Sequence, residues 1–268
     1  MKGINSFIED TLKKASSVAM ESSGNMQYVV KPEDRNQILT QADIEIGRMI
    51  TAQILTTFPD HNIIDEELGC VDKGSAFTWV VDPIDGTSNF AAGLPHYGIM
   101  LGLLHHNIPI AGGVSLPALD AVYLAIKGGG AWRNGQRIKV TDETNLSMVL
   151  GAYGIDGHPD TPERTRQEML QLQELILSMR NLRISNSAYD QMMVAQGTYG
   201  ICANQTSKIW DNVAQQVIIE EAGGAYTDIS GAPMDYSEAL ARSHENFTWL
   251  AGPPALHKQA LEAISRDR

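Results

Sequence analysis

Residues 78–140 hold five apolar runs, TWVVD, YGIMLGLL, IPIAGGVSL, AVYLAI and AWRNGQRIKV. They are parted by His105-His106-Asn107, a Pro-Ala-Leu-Asp turn at 117–120, three glycines at 128–130, and Asn134-Gly135. Short runs rich in β-branched residues between turn formers read as strands, and Asn-Gly is the strongest short hairpin signal. Strands joined by such brief connections pair antiparallel, so this half of the chain is committed to a sheet that cannot be doubly wound. The flanks have a different period. Ile4, Phe7, Ile8, Leu12, Ala15 and Val18 fall on one helical face, and so do Ile46, Met49, Ile50, Ile54 and Phe58. The second set follows Thr40-Gln-Ala-Asp43, which reads as a capping box, and it stops at Pro59.

From about residue 146 the pattern alternates. A helix is expected over 162–179, a strand near 182–184, a helix over 187–196 and a strand over 199–203. A helix over 211–222 ends at Gly223-Gly224, and a strand at FTWLAG and a helix at PALHKQALEAI follow. The expected fold class is α/β (α+β), in layers, with an N-terminal α+β lobe over 1–145 and a C-terminal α/β lobe over 146–268 that completes the active site.

A chain of 268 residues that is 43% hydrophobic can bury a large core. With 20 Lys+Arg against 32 Asp+Glu its net charge is −12, which opposes attraction to nucleic acid or to an anionic membrane. An acidic protein that handles an anion needs a cation between the two. Cys70 and Cys202 are too few for a disulfide framework and point to a reducing compartment. No export segment is evident, and no apolar stretch approaches the roughly 20 residues that span a bilayer. A cytoplasmic protein is expected.

Residues 79–90 read WVVDPIDGTSNF. Asp82 and Asp85 leave the end of an apolar run on either side of Pro83, which fixes the backbone between them. Hard divalent cations take such oxygens, and the Ile84 carbonyl offers another. Gly86 and Thr87 then present N–H groups, and a helix from Ser88 would aim its positive end at an anion. Each acidic group also has an ordinary account. Asp82 and Asp85 fit an acidic type I turn, Asp65-Glu66-Glu67 fits a solvated loop, Asp211 fits an N-cap, and Asp43 belongs to its capping box. Taken together, acidic groups from separate elements fit a hydrolytic site that holds two or more Mg2+ ions around a phosphate. His105-His106 reads as a solvated turn, the glycines at 128–130 lack the lysine of a P-loop, and Met192-Met193 reads as core.

WVVDPIDGTSNF resembles the first signature of the inositol monophosphatase family, and WDNVAQQVIIEEAGG resembles its second. The Glu66-Glu67 pair and the TQAD segment stand in the expected order, so the resemblance covers nearly the whole chain. It implies an α/β/α/β/α sandwich, commonly dimeric and lithium-sensitive. It implies that Glu66, Asp82 and the Ile84 carbonyl hold one Mg2+, that Asp82, Asp85 and Asp211 hold a second, and that Glu66 with waters holds a weaker third. Thr87 with Asp43 would orient and deprotonate the attacking water, and Gly86 and Thr87 would meet the phosphate. The implied activity is hydrolysis of a small polyol or sugar monophosphate without a phosphoenzyme.

Departures fall on the substrate side. Asn204 stands where many members carry a glutamate, and in Arg183-Ile-Ser185-Asn186-Ser187-Ala188 an asparagine replaces a small pocket residue. His158 lies near a position that is commonly serine. With Asp85, Gly86, Thr87 and Asp211, the residues Ser185, Asn186, Ser187 and Asn204 form the expected substrate contacts. Histidinol phosphate and fructose 1,6-bisphosphate remain alternative substrates, 3'-phosphoadenosine 5'-phosphate is disfavoured, and a catalytically silent metal or sugar-phosphate scaffold is the alternative of another class.

Overall fold

The computed structural model describes residues 2–22, 27–32 and 36–265. Helix α1 (Lys2–Ser22) is followed by a small hairpin, β1 (Tyr28–Val30) and β2 (Ile38–Thr40), and by α2 (Gln41–Thr57). Strands β3 (Asn62–Asp65), β4 (Gly69–Val71) and β5 (Phe77–Asp85) precede the short α3 (Thr87–Ala91). The hairpin-linked set is β6 (Gly98–His105), β7 (Ile108–Leu116), β8 (Ala121–Ile126), β9 (Ala131–Arg133) and β10 (Gln136–Ile138). Its members pair antiparallel in sequence order, and Asn134 and Gly135 both adopt positive φ at the last turn. The eight-stranded sheet runs β10-β9-β8-β7-β6-β5-β3-β4, and only β3 and β5 pair parallel.

The rest of the chain builds a five-stranded sheet and four helices. These are β11 (Leu150–Gly154), α4 (Pro162–Ser178), β12 (Asn181–Arg183), α5 (Ala188–Ala195), β13 (Ile201–Ser207), a 3-10 turn over Ile209–Asp211, α6 (Val213–Glu221), β14 (Ala225–Thr227), β15 (Phe247–Gly252) and α7 (Pro254–Ile264). The strand order is β12-β11-β13-β15-β14. Apolar cores cement five layers. Ile8, Leu12, Ile46 and Ile50 of α1 and α2 bury against Trp79, Ile99 and Leu101 on one face of the large sheet. Met100 and Val114 on its other face pack with Met192 of α5, Val217 and Ile218 of α6, and Cys202 and Trp249 of the second sheet. Leu172 and Leu175 of α4 and Leu256 and Ala260 of α7 close the far face of that sheet.

Several boundaries differ from expectation. The strand read over TWVVD, residues 78–82, runs on to Asp85. Asp82 faces Met100 and Asp85 faces Gly98, so three steps on β5 answer two on β6 and one residue is extra. Pro83 sits within this bulge, where a residue without an N–H removes no ladder bond. Helix α3 starts at Thr87, one residue before the expected Ser88. Strands β1, β2, β4, β11 and β14 were not expected; they are three to five residues long and too short to show a period.

Glycines let the middle layer approach. Gly102 and Gly112 face each other across β6 and β7, and α6 rests on both. A Cβ on Gly112 would lie 2.4 Å from the Ala214 carbonyl oxygen, and one on Gly102 would lie 2.6 Å from Val213 Cγ1. Gly113 points the opposite way, where a Cβ would meet Ile8 Cγ2 at 2.3 Å and Leu12 Cδ1 at 2.7 Å. Gly112→Ala should therefore cost about 3 kcal/mol in chemical unfolding, and Gly113→Ala less, because side-chain ends yield where a helix backbone does not. Equal losses would show that α6 can lift off the sheet.

Glu168 of α4 is 3% exposed, and neither carboxylate oxygen has a hydrogen-bond partner within range. Burial pushes its pKa up to about 7. The native state thus prefers the neutral acid, so the stabilisation is present below the unfolded value near 4.5 and is lost as pH rises toward 7. Comparing wild type with Glu168→Gln in unfolding from pH 4.5 to 8 should show the variant gaining on the order of 3 kcal/mol with rising pH. A difference that stays flat with pH would mean Glu168 ionises as freely in the fold as out of it.

Candidate active site

One cleft is lined by Glu66 after β3, the end of β5, the start of α3, residues 185–187 before α5 and the 3-10 turn before α6, with residues 36–38, the ends of β11 and β13 and residues around 244–249 at its walls. The cleft has a volume of about 720 Å³. At its floor Asp82, Asp85 and Asp211 each bring a carboxylate oxygen within 4.8 Å of the other two. Asp82 is buried, and its Oδ1 has no hydrogen-bond partner. Asp85 accepts the Ala188 N–H through Oδ2, and Asp211 accepts the Lys208 N–H through Oδ2 at 2.6 Å.

Burial is the largest influence on these groups, and mutual repulsion follows. Burial, then Glu66, Asp85 and Asp211, hold the Asp82 pKa well above the carboxylate range. Asp211 is raised in the same way by burial, Asp85 and Glu66. Asp85 is pushed up to about 7 by burial and Glu66, against the Ala188 hydrogen bond. Glu66 is also raised by burial, but Lys31 opposes the shift. Lys31 Nζ lies 2.8 Å from Glu66 Oε1 and 2.7 Å from Glu67 Oε1. Burial alone would lower the Lys31 pKa; the two glutamates override it and hold it above the usual ammonium range.

This donor set fits a hard divalent cation. It is all oxygen, it is too crowded for every carboxylate to ionise unaided, and it aims one buried, unpartnered oxygen inward. The Ile84 carbonyl faces the same floor and accepts the Thr87 hydroxyl at 2.8 Å. Thr87 Oγ1 is also 3.3 Å from Asp43 Oδ1. Asp43 accepts the Thr40 N–H at 2.9 Å through Oδ2, together with the Thr40 hydroxyl. Its cap and its contact with Thr87 use different oxygens, so the two accounts of this residue hold together. Burial, against the bonds from Thr40, pushes Asp43 up to about 6.

Gly86 starts α3 with φ 76°, in the left-handed region that glycine favours. A Cβ there would lie 2.9 Å from Ser187 Cβ and 3.0 Å from the His96 carbonyl oxygen, so the segment before α5 is fitted against this glycine. Asn89 Nδ2 fastens the two sides by donating to His96 O at 2.7 Å and to Ser185 O at 2.8 Å. Asp190 Oδ2 takes the N–H groups of Ser185 and Asn186 at 3.0 and 3.2 Å, and Ser187 caps α5. Asn186 has φ 54°, which asparagine tolerates. Asn204 also lines the cleft, where its Oδ1 accepts the Thr206 N–H at 2.5 Å. Every expected site residue except Asp43 lines the cleft, and Asp43 stands behind Thr87.

Sequence reasoning missed Lys31, Asn89, Asp156, Asp190 and Thr206. Lys31, Asp156 and Thr206 acquire their places through contacts from distant parts of the chain, Asn89 stands within WVVDPIDGTSNF but reaches across to Ser185, and Asp190 binds the backbone four and five residues before it. His105 and His106 turn the β6–β7 hairpin outside the cleft, and Met192 and Met193 are core.

The model of the inositol monophosphatase family matches residues 3–266. A fructose-1,6-bisphosphatase/inositol-1-monophosphatase of Aquifex aeolicus is 34% identical over 244 residues, 88% of this chain and 85% of that one. A protein of the same name from Thermotoga maritima is 34% identical over 257 residues, covering 95% and 93%. The solved IMPase of Thermotoga maritima superposes with a TM-score of 0.84 at 29% identity, covering 98% of this chain and 97% of that one. The chain belongs to the inositol monophosphatase family and is a phosphoric monoester hydrolase.

Proposed function

We propose that this protein is a Mg2+-dependent phosphomonoesterase that hydrolyses a small polyol or sugar monophosphate, of the inositol 1-phosphate kind, by attack of water. The observation that carries the reading is the trio Asp82, Asp85 and Asp211 within 4.8 Å, next to the Asp43–Thr87 pair. Glu66, Asp82 and the Ile84 carbonyl would hold one ion, and Asp82, Asp85 and Asp211 a second, with Glu66 available to a weaker third. Such ions supply Lewis-acid charge to the transferring phosphoryl group and its water. The Gly86 and Thr87 N–H groups receive phosphate oxygens at the start of α3. Thr87 orients the water through its hydroxyl, and Asp43 accepts the proton. Residues 1–145 and 146–268 act as lobes of one unit, because the cleft draws on both.

The family relationship supports a homodimer, lithium inhibition and a cytoplasmic setting as well. The free cysteines Cys70 and Cys202 agree with the last, and no helix among the described residues is long and apolar enough to cross a membrane. A sugar bisphosphate is the second reading. The names of the two relatives above favour it, and Arg164 and Lys208 stand at the cleft wall as cations for a further phosphate.

Phosphate release from a panel of monoesters should require Mg2+ and stop with EDTA, and Asp82→Asn should lower kcat at least about 100-fold. In metal-free protein the same substitution should raise the unfolding temperature, since it removes one charge from a crowded cluster. Release that survives EDTA would sink the metal-dependent reading.

The pH profile tests the base. Asp43 must be ionised to accept a proton, and its raised value places that change near pH 6, so kcat should fall as pH drops through about 6. Asp43→Asn should lower kcat about 100-fold or more and remove that limb. A limb that persists in the variant would assign it to another group.

A further inference from the structure

Strands β12, β11 and β13 are parallel neighbours, with Ala152 opposite both Arg183 and Cys202, and Gly154 opposite Asn204. Their C-terminal ends open on one edge, the place where parallel strands present side chains to a ligand. Asp156 follows β11, Asn186 follows β12, and Thr206 lies near the end of β13. Asn186 Nδ2 donates to Asp156 Oδ1 at 3.1 Å, and Thr206 Oγ1 donates to Asp156 Oδ2 at 3.2 Å. The half-buried carboxylate is thus gripped from both sides while it lines the cleft.

Its neighbours are packed to leave it there. A Cβ on Gly154 would lie 2.3 Å from Asn204 Nδ2 and 2.6 Å from Asn186 Oδ1. Asn204 Oδ1 is engaged by Thr206, so the anionic acceptor in this part of the cleft is Asp156. A short chain of contacts leads there from Gly86: Gly86 abuts Ser187, Ser187 follows Asn186, and Asn186 holds Asp156. An ester whose phosphate rested at Gly86 would have this edge beside its alcohol portion.

We propose that Asp156 is a specificity-determining residue. Its carboxylate accepts hydrogen bonds from hydroxyl groups beside the phosphorylated carbon, which selects polyol monophosphates and disfavours a second phosphate placed there. The chemistry is simple: a carboxylate accepts at several lone pairs, so oxygens already holding Asn186 and Thr206 can accept from a diol, and they repel a phosphate. The proposal rests on the phosphatase reading above.

The test compares kcat and KM of wild type, Asp156→Asn, Asp156→Ala and Thr206→Val. The substrates are myo-inositol 1-phosphate, fructose 1,6-bisphosphate and phenyl phosphate, whose leaving group has no hydroxyl beyond the one released. Wild type should prefer inositol 1-phosphate over phenyl phosphate. In both Asp156 variants that preference, as a ratio of kcat/KM, should fall about tenfold or more, mainly through KM. Free myo-inositol should inhibit these variants more weakly than wild type, and the bisphosphate should gain on the monophosphate. Thr206→Val should move each ratio the same way and less far. If Asp156→Ala unfolds, the isosteric Asp156→Asn carries the comparison. Ratios that do not change, or a fall by one common factor for all three substrates, would overturn the proposal alone. No phosphate release by wild type from any of them would overturn the phosphatase reading, and this proposal with it.

Discussion

Three carboxylates within 4.8 Å of one another, one of them buried, repel in the absence of cations. The energy of two unit charges at such a distance grows as water is excluded. The upward shifts at Asp82, Asp85 and Asp211 come first from burial, and repulsion from neighbouring carboxylates adds to it. The protein supplies a cation of its own only at the margin, where Lys31 answers Glu66 and Glu67; among the described residues no lysine or arginine pairs with the three aspartates. The frame must therefore hold groups together that would separate if they could. It does so with sheet and helix rather than loop. Asp82 and Asp85 bracket a bulge on a strand paired on both sides, and Asp211 immediately precedes the α6 segment seated on Gly102 and Gly112.

The five layers follow from that need. The large sheet brings the Gly86–Thr87 turn and most of the acidic groups, and it is covered on one face by α1 and α2. The second sheet cannot reach the same point directly, so α5 and α6 lie between the two and their leading ends close the site. On the proposed reading, the acidic floor and the alcohol-binding edge belong to different layers. The edge made by β11, β12 and β13 is joined to the acidic floor through residues 186–188, where Ala188 donates its N–H to Asp85 and Ser187 abuts Gly86.

What could be read from the sequence divides along the same line. The five hairpin-linked strands, both N-terminal helices and the acidic signatures were legible because each is a local pattern: a turn dipeptide, a period, or a cluster within a dozen residues. The continuation of β5 to Asp85 was not, because proline ordinarily ends a strand and only the partner strand reveals the bulge. Strand β11 was missed because Leu-Gly-Ala-Tyr-Gly has two glycines in five residues and owes its conformation to neighbours on both sides. Lys31 and Asp156 were illegible for a deeper reason. Their partners lie 35 and 36 residues away for one and 30 and 50 for the other, and no spacing rule connects such positions.

Asp43, Asp85 and Asp211 show how a capping residue can keep an oxygen for a second task. Each offers Oδ2 to a backbone N–H near the start of a helix or helical turn: Asp43 to Thr40, Asp85 to Ala188, and Asp211 to Lys208. A carboxylate has two oxygens, so one can be pinned while the other is aimed, and the pin removes the rotamer freedom that the aimed oxygen would otherwise lose on binding. Capping and the proposed chemical role are therefore compatible in one residue. Asp82 has no such pin and needs none, because the strand and its bulge already fix it, and its free Oδ1 is the oxygen left for a cation to claim.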